Sequence, residues 1–124
     1  MRDTDVKDFP NEFYETGISL EEMGSFGFAW KYKDILEILE YLKNNNYGIL
    51  GGDVLQLDEE RIFFNYDNWS LDTKGITWKE YVDEGYELAK NYIENYYEKN
   101  GDNYCYNIIV TNELKALIYH GIGK

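Results

Sequence analysis

Apolar side chains recur at Ile35, Ile38, Leu39 and Leu42, the i, i+3, i+4, i+7 set that lines one face of an α-helix. This spacing predicts a helix over about residues 33–46. Leu36 and Tyr41 widen its stripe, and Asn44-Asn45-Asn46-Tyr47-Gly48 supplies residues that tolerate a left-handed helix end. A longer stripe runs through Trp78, Tyr81, Val82, Leu88, Ala89, Tyr92, Ile93 and Tyr96, ending near Tyr97. It opens on Thr77-Trp78-Lys79-Glu80, a capping box in which the Thr and Glu side chains satisfy each other's free backbone N–H groups. Between the two helices, Ile49 to Leu57 and Arg61 to Tyr66 read as strands flanking the charged Asp58-Glu59-Glu60, hence a β-hairpin. The Gly51-Gly52 pair in the first strand predicts a bulge or a close approach by another group. Asp67 to Gly75, rich in turn formers, is expected to be a loop.

Outside this centre the pattern is weaker. Residues 1–17 are polar, hold the chain's only proline at Pro10, and are expected to form a loosely held arm. Ser19-Leu20-Glu21-Glu22 repeats the capping-box arrangement and predicts a short helix stopped by Gly24 and Gly27. Phe26, Phe28 and Trp30 alternate as in a brief strand. Asn100-Gly101-Asp102-Asn103 breaks the chain before Tyr104 to Thr111, whose β-branched and aromatic content predicts a buried strand. Leu114 to Tyr119 fits a last strand or a helical turn equally well. Helix, hairpin, helix, strand is an α+β order: a small, mainly antiparallel sheet with two main helices packed on one face. The length of 124 residues suits one domain, taken as residues 18–124 behind the arm.

Charge narrows the function. The chain has 24 acidic and 12 basic side chains, a formal net charge of −12. Direct nucleic-acid binding needs a cationic face and attraction to an anionic membrane needs basic clusters, so both are disfavoured. The negative field either keeps the protein soluble or steers it toward a basic partner. The 13 Tyr suit a wet interface, because each ring carries a polar tip. The single Cys105 excludes an internal disulfide, and the polar start lacks the layout of a signal peptide, so a reducing cytoplasmic location is expected.

Chemistry-bearing patterns are few. Cys105 lies in an apolar strand, where a buried thiol is the ordinary reading, and His120 sits near a glycine-rich end. Two such residues cannot make a structural zinc site, and no stretch carries the calcium-binding ladder of an EF-hand. Gly24-Ser25-Phe26-Gly27 is not a nucleophile elbow, and no phosphate-binding glycine loop occurs. Paired carboxylates arise by chance among so many acids. No catalytic, cofactor or metal residue is therefore assigned. What stands out is Asp53, after the glycine pair, with Tyr66, Asp67, Asn68, Trp69 and Asp72 beyond the hairpin. Rings ringed by charge resemble an interface hot spot; the other reading is that Trp69 plugs the core edge while Asp67 and Asn68 shape a turn.

Four segments, Ile18-Ser19-Leu20-Glu21-Glu22, Gly51-Gly52-Asp53-Val54, Tyr66-Asp67-Asn68-Trp69 and Trp78-Lys79-Glu80-Tyr81-Val82, resemble in content and order the immunity protein 40 family of bacterial polymorphic-toxin systems. The likeness spans about residues 18–110. It implies a small cytoplasmic α+β protein that binds and neutralises a cognate toxin domain, without catalytic residues or cofactor. The alternative is an acidic, nucleic-acid-mimicking module that inhibits a basic protein of another defence or regulatory system.

Overall fold

The computed structural model describes residues 1, 5–25, 27–59, 61–72, 76–119 and 122. Its centre is a five-stranded antiparallel sheet, with β1 (Ile18–Ser19), β2 (Phe28–Lys31), β3 (Gly48–Asp58), β4 (Arg61–Ser70) and β5 (Tyr104–Thr111) in the spatial order β1-β2-β5-β3-β4. Among the described residues four α-helices join it: α1 (Asn11–Thr16), α2 (Tyr32–Asn44), α3 (Trp78–Asn100) and α4 (Glu113–Tyr119). The expected α+β architecture is the one observed.

The two main helices cover one face of the sheet. Ile35, Ile38, Leu39 and Leu42 of α2, with Tyr86, Ala89 and Ile93 of α3, pack on Trp30, Val54, Trp69, Tyr106 and Ile108 from the strands. Each aliphatic side chain so buried contributes roughly 1.5–3 kcal/mol relative to exposure. Asn46, at φ 65°, ends α2 in the left-handed conformation its asparagine run allows. The Thr77–Glu80 capping box opens α3 with both reciprocal hydrogen bonds in place.

Three expectations need correction. Residues 5–17 are not a loose arm: Val6 and Phe9 are buried, and Phe9 meets Phe13, Tyr14, Trp30 and Tyr41 edge-on or tilted. The polar residues of that stretch hide one aromatic anchor, and the Trp30 indole N–H donates to the Phe13 carbonyl at 2.7 Å. Ser19 does not cap a helix; its hydroxyl accepts from the Glu21 N–H at 3.2 Å before a single 3-10 turn, Glu21–Met23, which Gly24 ends at φ 78°. Finally, Asp67 to Ser70 are not loop but the second half of β4. Thr73, Lys74, Gly75 and His120 lie outside the described residues. The undecided segment at 114–119 is helical, α4, with Ala116 facing in and Leu114, Leu117, Ile118 and Tyr119 exposed.

Candidate functional site

The glycine pair and Trp69 explain each other. Gly52 and Trp69 are cross-strand partners, and a Cβ on Gly52 would collide with the Trp69 ring on one side and the Asn107 carbonyl on the other. Only a bare α-carbon leaves room for the indole to lie flat across β3, where it stacks on Tyr92 of α3 with centroids 4.9 Å apart. Trp69 is consequently 7 % exposed and a core residue. Its Nε1–H is buried without an acceptor among the described residues. Of the two roles the sequence left open for Trp69, the packing matches the core one: the ring ties β4 to α3.

Immediately before Trp69 the ladder breaks. Pairing runs from Asp53–Asn68 to Leu55–Phe64, so Asn65, Tyr66 and Asp67 face only Val54. Such a bulge bends a strand and re-aims its side chains. Its flanks are tied to α3: Tyr96 Oη donates to Asp67 Oδ2 at 2.7 Å, and Asn65 Nδ2 donates to Tyr96 Oη and to the same carboxylate oxygen at 3.1 Å. Burial first, and then the hydrogen bond to Asp67, push the Tyr96 hydroxyl far above its ordinary range, so it stays a donor. Tyr66, between the two tied residues, sits at φ 63° and is 88 % exposed. A non-glycine residue in that region costs about 1–3 kcal/mol and persists only where its surroundings enforce it. Asn68 Nδ2 closes the bulge by donating to the Tyr66 carbonyl at 3.3 Å.

The remaining candidates lie nearby. Asp53 is half-buried in β3, in register with Asn68 of β4 on one side and Asn107 of β5 on the other. Asp67 and Asn68 are exposed, and Asp72 is exposed just past the end of β4. Asp53 and Asn68 are thus cross-strand partners, Asp67 turns to Tyr96 of α3, and Tyr66 projects from the bulge between Asp67 and Asn65. Sequence reasoning missed Asn65 and Tyr96, whose roles depend on a contact 31 residues apart, and Asn107, whose Oδ1 accepts from the Met1 amino group. A recess of about 250 Å³ beside Asn107 and Ile109 is smaller than the ~300–1,000 Å³ typical of small-molecule sites. Burial pushes the Cys105 thiol up to about 12, which makes it a poor nucleophile. No group of three or more His, Cys, Asp or Glu suited to a metal ion occurs among the described residues, and no helix among them is long and apolar enough to cross a membrane.

The family model of immunity protein 40 matches residues 19–110, and the chain belongs to that family. It is thus an immunity protein by family. Neither a curated protein nor a solved structure significantly matches the chain.

Proposed function

We propose that this protein protects the cytoplasm by binding a cognate toxin domain directly and blocking it, without catalysis or cofactor. Family membership supplies the toxin as partner. The observation that carries direct contact is Tyr66, 88 % exposed on a bulge whose two flanking side chains are fastened to Tyr96. A backbone held in place before binding costs less to order on docking, which leaves more of the energy of burying an exposed ring for affinity. Beside it in the chain are Asp67 and Asn68, with Asp53 paired to Asn68 across the ladder and Asp72 exposed just past the end of β4, while Trp69 keeps β4 in position from the core. The formal charge of −12 favours a basic toxin, because opposite charge accelerates encounter.

Co-expression with the cognate toxin domain tests the reading. The wild-type chain is expected to restore growth, and Tyr66→Ala, which removes no core contact, to restore it poorly. Growth arrest unchanged by the wild-type chain would refute toxin neutralisation.

A further inference from the structure

The two main helices, α2 and α3, pack on one face of the sheet. Strand alternation fixes what the other face carries. In β5, Tyr106 and Ile108 point into the helical core, so Asn107 and Ile109 point away from it. In β4, Trp69 points into the core and its neighbour Asn68 away. In-register neighbours share a face, which places Asn107, Asp53 and Asn68 in one row across β5, β3 and β4. The preceding row is Cys105, Leu55 and Phe64, and the following one is Ile109, Gly51 and Ser70. Toward β1 and β2 this face is closed by Leu20, Ala29, Leu55 and Cys105 with Ile18, Met23, Leu57 and Ile62. The cluster built with α2 and α3 lies on the opposite face from Asp53, and the large apolar side chains in the rows on either side of it stay exposed, Phe64 at 53 % and Ile109 at 45 %.

We propose that this half of the face, rather than the helical layer, seats the partner, and that Asp53 receives a lysine or arginine of a basic toxin between the apolar flanks of Phe64 and Ile109. This rests on the toxin-binding reading above and adds the face, the central contact and the chemistry of the group it takes. Charge complementarity selects the occupant. Two copies of a chain with a net charge of −12 repel each other, whereas a cation opposite Asp53 finds a carboxylate with an amide on each side. Among the described residues, Lys31 pairs with Asp102 at 3.3 Å, and the Met1 amino group donates to Asn107 in the same row as Asp53. Strands sit about 4.8 Å apart and alternate residues about 7 Å, so Phe64 and Ile109 flank Asp53 at the span of a single docked loop or helix turn. Phe64, Asp53, Asn68, Asn107 and Ile109 all fall inside the segment that the family model matches, unlike the exposed apolar stripe of α4.

The test measures the affinity of the full chain for its cognate toxin domain. Asp53→Lys and Ile109→Lys are compared with Glu87→Lys, an exposed α3 position on the helical layer. Asp53→Lys and Glu87→Lys change the net charge equally, so bulk steering affects both alike. Asp53→Lys is expected to weaken binding by roughly 30-fold or more, the size of a lost desolvated charge pair, with Ile109→Lys weakening it comparably and Glu87→Lys by less than about threefold. Circular dichroism and thermal melting confirm that each variant is folded. Equal losses for Asp53→Lys and Glu87→Lys, or wild-type affinity in folded Asp53→Lys and Ile109→Lys, would overturn the assignment of this face while leaving toxin binding intact. A wild-type chain that fails to bind would instead refute the toxin-binding reading, and this inference with it.

Discussion

Gly52→Ala introduces a single methyl group at a position with no space for it. The added carbon would lie 2.6 Å from Trp69 Cζ2, closer still to the ring's outer edge, and on its other side against the Asn107 carbonyl. Ordinary carbon contacts begin near 3.5 Å, so the deficit is about 1 Å on two sides at once. The indole is wedged against Tyr92 and the carbonyl belongs to a paired strand, so neither yields freely. Overpacking of this kind costs about 1–3 kcal/mol, and the two-sided clash places Gly52→Ala near the upper end. Unfolding entropy of about 2.1 cal/mol/K per residue gives roughly 0.26 kcal/mol/K for a chain of 124 residues, so 3 kcal/mol lowers the melting temperature by about 11 °C. Differential scanning calorimetry of Gly52→Ala, Trp69→Phe and the double variant provides the assay. Trp69→Phe opens space beside residue 52 and removes an orphaned buried N–H, so the double variant should melt higher than additivity predicts. Gly51→Ala meets the backbone carbonyl of Trp69 instead, and no side-chain change there should relieve it. A Gly52→Ala protein melting within about 2 °C of wild type, or strictly additive losses, would refute the interlock.

Other consequences concern the clasp, the core and pH. Tyr96→Phe removes the hydroxyl shared by Asn65 and Asp67 and should cost about 1–2 kcal/mol in urea unfolding, with faster amide exchange at residues 65–67. Unchanged exchange there would show that the bulge does not depend on Tyr96. Leu39→Ala, at a fully buried α2 position, should cost about 2–5 kcal/mol in the same assay. Burial raises Cys105 from 9.0 and Tyr81 from 10.0, each to about 12, so both hold their protons more tightly folded than unfolded. Their contribution to stability is complete below about pH 9 and is lost as pH rises through 12; a urea midpoint flat from pH 10 to 12 would contradict this. Native Cys105 should accordingly react with a thiol reagent at pH 8 only at the rate of unfolding or local opening.

What the sequence revealed followed the range of the interactions involved. The α2 stripe and the Thr77–Glu80 capping box are settled within a few residues, and both elements appear where their patterns place them. The glycine pair announced a close approach, but not that Trp69 makes it, since that contact spans two strands. Turn-forming residues at 67–70 masked a strand because their side chains serve the bulge and the sheet rather than a loop. Val6 and Phe9, isolated among polar neighbours, carried no periodic signal, yet Phe9 finds four aromatic partners once α2 and β2 are in place. Of the candidate residues, Asp53 and Asn68 meet because pairing of β3 with β4 brings distant segments together. Asn107 and Ile109 escaped notice because their face is decided by the core packing of Tyr106 and Ile108 beside them.

Direct neutralisation is tested most squarely by titrating the activity of the purified toxin domain with the purified chain at physiological salt. A blocking contact requires activity to fall in proportion to added protein and to vanish at a fixed stoichiometric ratio, with Tyr66→Ala needing a marked excess. Toxin activity that persists undiminished in the presence of excess wild-type protein would contradict neutralisation by contact.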